Sequence, residues 1–198
     1  MQIRQATIDD LDALAKIEAA CWSIETAGCL ADIESRLTTF SAGQFVAETD
    51  GEVVGAIYGQ RVPLSAIEGE CTYAELTDGG TFRRSHQADG ELFQLIGVSV
   101  LDRFQGAECG RLLVDHAVAH ARTMPGVVRM VGITRPVHYF KHSHLTIEQY
   151  IAARDNHGRL LDPVLAFHDD GGAMIHRGIQ NYRPDPSTLG YGVLIEYR

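Results

Sequence analysis

The spacing of apolar residues along the chain predicts alternating strands and helices. Strands are indicated by short apolar or alternating runs between turn residues, and helices by apolar residues that recur every three or four positions. The predicted strands cover residues 3–6, 44–48, 53–60, 92–100, 127–133, 173–179 and 191–197. The predicted helices cover residues 11–18, 31–37, 110–123 and 146–156. Asp50-Gly51 suits a two-residue hairpin turn between the second and third strands.

The order of these elements, β-α-α-β-β-β-α-β-α-β-β, predicts an α/β fold with one mixed sheet and helices on both faces. A chain of 198 residues supplies one good core, so residues 1–198 are predicted to form a single domain. The polar stretch over 63–90 is too long for an ordinary hairpin loop and is typical of a lid or binding segment.

Composition narrows the class of protein. The content of 45% hydrophobic and 22% charged residues is that of a globular protein. A net charge of −9 disfavours a nucleic-acid binder, which needs a basic face. The absence of a long apolar run or a secretory pattern predicts no membrane association. Cys21, Cys29, Cys71 and Cys109 form no Cys-x-x-Cys pair, so a reduced cytoplasmic protein is expected.

The segment 104–113 offers the first candidate chemistry. It joins the apolar strand 92–100 to the helix that starts near Gly110. A strand, a glycine-bearing turn and a helix N-terminus can hold a phosphate, because the first-turn N–H groups have no internal partner and the helix dipole favours negative charge. The spacing fits neither a Rossmann fingerprint nor a P-loop. The alternative is an ordinary strand-turn-helix with a glycine kink.

This segment resembles the coenzyme A loop of the GNAT acetyltransferase superfamily, Arg/Gln-x-x-Gly-x-Gly/Ala, with Gln105 opening the motif and Gly110 closing it. Glu108 stands where the family has its middle glycine, and a carboxylate beside a pyrophosphate is unfavourable. The resemblance implies a GNAT fold whose sheet splays between strands 4 and 5. It also implies pantetheine pairing to the backbone near Val98 and Val100. The residues it assigns to the pyrophosphate loop are Gln105, Gly106, Ala107, Cys109, Gly110 and Arg111.

The C-terminal third resembles a subgroup of this superfamily. Residues 164–168, 172–175, 181–184 and 190–197 are similar to the GNAT-like decarboxylase domains of polyketide synthase loading modules, of the curacin and gephyronic acid type. The resemblance implies decarboxylation of malonyl, methylmalonyl or dimethylmalonyl thioesters to supply a starter unit. The implied partners are acyl-CoA and an acyl carrier protein or polyketide synthase, with coenzyme A or phosphopantetheine as the carrier and no metal.

Four side chains match the site of that subgroup. The resemblance assigns decarboxylation to Thr134 and His168, and places Trp22 and Arg183 at the walls of the site. These residue types suit the chemistry, since loss of carbon dioxide moves negative charge onto the thioester oxygen. A donor fixed at that oxygen stabilises the transition state more than the ground state. Trp22 supplies an apolar wall, and Arg183 is expected to steer the substrate carboxylate.

Each of these residues also has an ordinary structural explanation. His168 is equally typical of a strand end, satisfied by a backbone carbonyl. Thr134 suits a cap after its strand, and a sole tryptophan such as Trp22 is often a core anchor. Arg183 before a proline fits a surface ion pair.

Two other activities and one metal site remain as alternatives. An N- or S-acetyltransferase needs a base and an acid, for which Glu91 and Tyr139 are the candidates. A non-catalytic acyl-thioester binding module is the other, and the departure at Glu108 is its best support. His138, His142 and His144 crowd one stretch, but no cysteine or His-Glu-x-x-His completes a zinc pattern, so no metal is predicted.

Overall fold

Seven strands form one sheet in a computed structural model of the chain, which describes residues 1–23, 26–106 and 108–198. The strand order across the sheet is β1-β2-β3-β4-β5-β7-β6. The strands are β1 (Gln2–Gln5), β2 (Gln44–Thr49), β3 (Glu52–Val62), β4 (Leu92–Val100), β5 (Arg129–Thr134), β6 (Ala173–Ile179) and β7 (Gly192–Tyr197). The β4–β5 pair is parallel and the other neighbours are antiparallel, so the predicted mixed α/β sheet is confirmed.

Six α-helices accompany the sheet in the described ranges. They are α1 (Leu11–Cys21), α2 (Leu30–Thr39), α3 (Tyr73–Thr77), α4 (Cys109–Thr123), α5 (Ile147–Ala152) and α6 (Pro163–Asp170). None of these helices has both the length and the apolar character required to cross a bilayer.

Helices cover both faces of the sheet, as the alternation along β3 shows. Ala56 and Tyr58 pack in a cluster with Leu14 of α1, whereas Ile57 packs in a second cluster with Leu113 of α4. Successive side chains of a strand point to opposite faces, so α1 and α4 lie on opposite sides.

The sequence misses two helices and overextends a third. The stretch 63–90 contains α3 rather than loop alone, and residues 163–170 form α6. The helix predicted over 146–156 ends at Ala152, because Ala153 takes an extended backbone conformation and Arg154 bridges to Leu160. The reading of His168 as a strand-end residue is therefore wrong, since α6 carries it.

The parallel pair β4–β5 is short, and the two strands then part. Residues 92–95 pair with 129–132, and the pairing stops there. On its other side, β4 carries an extra residue, Ile96, because Leu95 and Gly97 pair with consecutive residues of β3. A bulge of this kind bends its strand. β5 meanwhile continues to Thr134 alongside β7, so a gap opens between the ends of β4 and β5.

Candidate active site

A cavity of about 640 Å³ lies where β4 and β5 part. Its walls are the second half of β4, the end of β5, the end of α1, the start of α4, α6 and the segment 182–191. Val98 and Val100 of β4 line it, as does Gly132 of β5. The sheet therefore splays between strands 4 and 5, as predicted, and the cavity occupies the cleft between them.

One end of this cavity is formed by the loop before α4, here called the loop end (residues 105–111, with Ala107 outside the described residues). The Gln105 amide donates to the Val100 carbonyl oxygen at 3.1 Å and to Asp102 Oδ1 at 2.9 Å. Gly106 has a positive φ of 78°, and Glu108 adopts φ 62° as the residue that caps α4. Glu108 is exposed and lines the cavity. Its backbone is in the left-handed region, which costs a non-glycine residue energy.

The first turn of α4 continues the loop end. Cys109 is buried, and burial raises the pKa of its thiol. A Cβ built on Gly110 lies 3.5 Å from the Phe167 ring, so α4 packs closely on α6 here. Arg111 Nε donates to Asp115 Oδ1 at 2.7 Å, which partly compensates its charge. Cys109, Gly110 and Arg111 all line the cavity.

A second group of lining residues, here called the acyl end (Trp22, Thr134, His168 and Arg183), depends on α6 for the placement of His168. That helix begins at a buried carboxylate: Asp162 Oδ1 accepts the N–H groups of Val164 and Leu165 at 3.0 and 3.1 Å. Asp162 Oδ2 accepts the His138 N–H and the Tyr150 hydroxyl, both at 2.9 Å. A cap that is itself held from two directions fixes where the helix starts, and therefore where its last turn lies.

His168 occupies that last turn and lines the cavity, with 6% of its surface exposed. Its Nδ1 lies 2.7 Å from the hydroxyl oxygen of Tyr197. Burial lowers the pKa of His168 to about 4. The imidazole is therefore neutral at pH 7 and has one donor and one acceptor nitrogen.

Thr134 reaches the same cavity from the sheet. It is the last residue of β5, pairs with Val193 of β7 and lines the cavity beside Ile133. The structure therefore brings Thr134 and His168 to one cavity from two separate elements, which the sequence could not show.

Trp22 follows α1 and forms a wall on the β4 side. Its indole N–H donates to Ser99 Oγ at 2.7 Å, which fixes the ring against β4. The guanidinium of Arg135, the residue after Thr134, lies 5.2 Å from the Trp22 ring centre, and its Nε donates to Asp185 Oδ2 at 2.7 Å. A cation over an aromatic face is attracted to it, so Arg135 links the two walls of the cavity.

Arg183 lies at the same end. Its Nη2 donates to the Thr26 carbonyl oxygen at 2.7 Å, and its guanidinium carbon is 4.0 Å from the Tyr73 ring centre. Tyr73 belongs to α3, so the stretch 63–90 does contribute to the cavity, as a lid or binding segment would.

Comparison with known sequences identifies the protein family. A sequence model of the Acetyltransferase (GNAT) family matches residues 11–144. The chain belongs to the GNAT family. The match begins at α1 and ends after β5, so it covers the loop end and Thr134 but not α6.

Solved GNAT structures extend the likeness to the remaining residues. The GphF GNAT-like decarboxylase, in complex with isobutyryl-CoA, is 34% identical, with a TM-score of 0.87 over 100% of this chain and 98% of that chain. The loading GNATL domain of CurA from Lyngbya majuscula is 29% identical, with a TM-score of 0.90 over 99% and 96%. An uncharacterized N-acetyltransferase of Bacillus subtilis, YkwB, is 26% identical over 100% of this chain and 88% of its own length. The predicted resemblance to the GNAT-like decarboxylase domains is confirmed at the level of sequence and fold.

Two side chains that contact acyl-end residues of this GNAT protein were not predicted as site residues: Arg135, which contacts Trp22, and Tyr197, which contacts His168. Arg135 directly follows Thr134, which was the available signal. Tyr197 shares a strand face with Ile195, which lines the cavity. Only the approach of α6 to β7 shows that its hydroxyl meets His168.

The acid and base considered for an acetyltransferase lie elsewhere in the described residues. Tyr139 is a buried residue, and its hydroxyl donates to the Leu145 carbonyl oxygen at 3.0 Å. Glu91 precedes β4, at the end of the strand that still pairs with β5, and accepts the Leu64 N–H at 3.3 Å. Neither is among the described residues that line the cavity.

Residues that could hold a metal ion were searched over 1–23, 26–106 and 108–198. No group of three or more His, Cys, Asp or Glu side chains suited to a metal lies there, the stretch with His138, His142 and His144 included.

Proposed function

We propose that the protein decarboxylates malonyl or methyl-substituted malonyl thioesters, carried on coenzyme A or on the phosphopantetheine of an acyl carrier protein, to supply a polyketide starter unit. The observation that carries the proposal is the acyl end of the cavity, where a buried neutral imidazole, His168, and a hydroxyl, Thr134, line the same space.

The reaction calls for neutral donors at the thioester oxygen. The bond between the α-carbon and the carboxylate breaks, carbon dioxide leaves, and the electron pair passes through the α-carbon onto the carbonyl oxygen as an enolate. Hydrogen bonds to that oxygen strengthen as the charge develops, so they lower the barrier. A proton taken from water then adds to the α-carbon and restores the thioester, and the hydroxide left behind is neutralised by the carbon dioxide or the buffer.

His168 and Thr134 suit this role. One imidazole nitrogen of His168 is engaged by Tyr197, which leaves the other for the substrate. Since the pKa of His168 is lowered to about 4, the ring is uncharged across the neutral range and does not need to lose a proton before reaction. The Thr134 hydroxyl is a second donor, and either group can also help to hold the carboxylate out of the thioester plane.

Arg135 and Arg183 differ in how far their charges are available to the substrate carboxylate. Arg135 already pairs with Asp185, so its charge is largely compensated. Arg183 contacts neutral groups, the Thr26 carbonyl and the Tyr73 ring, and is the cation we expect to steer the carboxylate. Moderate attraction suits the reaction, because a carboxylate held too tightly in the ground state would leave more slowly.

The GNAT relatives support both the carrier and the reaction. GphF is named a GNAT-like decarboxylase and was solved with isobutyryl-CoA. Isobutyryl thioester is chemically a dimethylmalonyl thioester that has lost its carboxyl group. At the loop end, the N-terminus of α4, which lines the cavity, and the turn at Gly106 suit the pyrophosphate of such a carrier.

The direct test is incubation with malonyl-, methylmalonyl- and dimethylmalonyl-CoA, and with the same acyl groups on an acyl carrier protein, followed by mass spectrometry. We expect loss of 44 mass units, that of carbon dioxide, from at least one substrate, and little loss with His168→Ala. Folded protein that leaves every substrate intact would overturn the proposal.

The same preparation tests the acetyltransferase alternative, which the similarity to YkwB favours. Acetyl-CoA is supplied with amine acceptors and with carrier-protein thiol. Turnover that survives His168→Ala, without any decarboxylation, would assign the chain to acyl transfer instead. Tight coenzyme binding with neither reaction would indicate a binding module.

A further inference from the structure

The contact between α6 and the last strand of the sheet carries an inference about His168. Tyr197 of β7 and His168 of α6 are both almost fully buried, at 5% and 6% exposure, and their polar atoms are 2.7 Å apart. A hydrogen bond between two neutral groups can run either way, and its direction decides which ring nitrogen carries the hydrogen.

The phenol settles the direction. Burial raises the pKa of Tyr197 far above neutrality, so its hydroxyl keeps its hydrogen. A buried hydroxyl without an acceptor would cost about 1–3 kcal/mol. Over residues 1–23, 26–106 and 108–198, the one acceptor within hydrogen-bond distance of that hydroxyl is His168 Nδ1. If Nδ1 carried a hydrogen instead, the Tyr197 hydrogen would have no partner there.

We propose that Tyr197 is a positioning residue, whose hydroxyl donates to Nδ1 of His168 and so holds the ring in the tautomer that carries its hydrogen on Nε2. The ring then presents a donor, rather than a bare lone pair, to the cavity. The catalytic consequence rests on the proposed function, because it assumes an enolate oxygen that needs a donor. The assignment of the tautomer does not depend on the proposed function.

This arrangement differs from that of a histidine paired with a carboxylate. A carboxylate accepts from the ring and favours the charged imidazolium, which suits a general base. A phenol that donates to the ring keeps Nδ1 unprotonated and favours neutral imidazole. Tyr197 therefore makes His168 a hydrogen-bond donor and disfavours its use as a base toward a substrate proton.

The tautomer is measured directly in protein labelled with ¹⁵N-histidine, from two-bond ¹H–¹⁵N correlations at pH 7, with His168→Asn used to assign the signals. We expect the His168 pattern of a neutral ring with hydrogen on Nε2. A pattern with hydrogen on Nδ1, or on both nitrogens, would overturn the proposal, whatever the protein catalyses.

The role of the hydroxyl is tested with Tyr197→Phe against the matched control Tyr139→Phe. Both variants remove the hydroxyl of a buried tyrosine that has one acceptor, but the Tyr139 hydroxyl bonds the backbone carbonyl of Leu145, and neither Tyr139 nor Leu145 is among the described residues that line the cavity. In Tyr197→Phe we expect the Nδ1 resonance to move toward that of an acceptor without a hydrogen bond. We also expect kcat for decarboxylation to fall about tenfold, with KM within twofold of wild type.

The outcomes separate the two proposals. An unchanged Nδ1 resonance in Tyr197→Phe, or a kcat equal to that of Tyr139→Phe, would refute the positioning role. A wild-type protein that shows the expected tautomer but decarboxylates no thioester would refute the proposed function and leave the hydrogen-bond assignment standing.

Discussion

The acyl end and the loop end of the cavity are built in opposite ways. At the acyl end, the His168 ring is buried, is held by Tyr197 and lies on a helix whose start is anchored by Asp162. At the loop end, Glu108 is exposed and strained, and the nearby Arg111 is paired with Asp115. Preorganised groups make the larger contribution to rate, whereas exposed charges contribute little to binding. We therefore expect substitutions at the acyl end to change kcat and those at the loop end to change affinity modestly.

The largest expected effect is that of His168→Ala. Removal of one donor to a developing oxyanion costs on the order of 3 kcal/mol, or about a hundredfold in kcat. Affinity for coenzyme A should stay within a few-fold, because we expect the backbone N–H groups of the loop end, and not the His168 ring, to bind the pyrophosphate. Steady-state decarboxylation, together with calorimetric titration of coenzyme A, checks both quantities. A parallel loss of affinity would mean that His168 binds rather than catalyses.

Acidification should lower the free energy of unfolding through the burial of His168. The pKa of His168 is lowered from 6.5 to about 4 by burial, so the unfolded chain binds a proton there more readily than the folded one. The contribution of His168 to the free energy of unfolding is fully present above pH 6.5. It falls progressively as the pH drops toward 4, by about 2–3 kcal/mol. Denaturant unfolding at several pH values measures it.

The control for this titration is His168→Asn, which has no proton to gain. The difference in unfolding free energy between wild type and His168→Asn should narrow from pH 7 to pH 4. A constant difference would show that His168 does not titrate as its burial implies.

A somewhat smaller effect is expected from Thr134→Val, which replaces the hydroxyl by a methyl group of similar size. Loss of one neutral donor should lower kcat by tens of fold, about 2 kcal/mol, with coenzyme affinity nearly intact. Thr134→Ser keeps the hydroxyl and should retain most of the activity. Equal activity in Thr134→Val and wild type would leave Thr134 as a strand-end residue only.

The smallest effect is expected at the loop end, from Glu108→Gly. Glycine adopts the φ of 62° without strain, so stability should rise by about 0.5–1 kcal/mol. Loss of the carboxylate should also tighten coenzyme A binding a few-fold. Glu108→Gln removes the charge but keeps the strain, so it should share the gain in affinity without the gain in stability. Thermal unfolding and calorimetry separate the two.

The sequence predicted the periodic elements and the motif that starts a helix, because these depend on neighbours along the chain. All seven strands and the helix after the loop have local signals, and the observed strands follow them. α6 was missed although Asp162-Pro163 is a helix-start pattern, since its eight residues show little helical periodicity.

The partners of the site residues were beyond sequence reasoning. Thr134 and His168 were singled out by resemblance, but the contact of His168 with Tyr197 depends on how α6 packs on β7. The contact of Arg135 with Trp22 depends on how the end of α1 packs near the end of β5. Such contacts have no fixed spacing along the chain, so they become visible only in three dimensions.

The extra residue Ile96 has a consequence for how this protein tolerates changes in length. Because side chains alternate along a strand, excision of that residue would turn every later side chain of β4 to the opposite face, and would let the strand realign with its neighbour. We expect the cavity between the ends of β4 and β5 to close as a result. The hairpin turn at Asp50-Gly51 offers a contrast, since a residue gained or lost there leaves the cleft intact. The cavity is thus expected to depend on one irregularity in the ladder between β3 and β4.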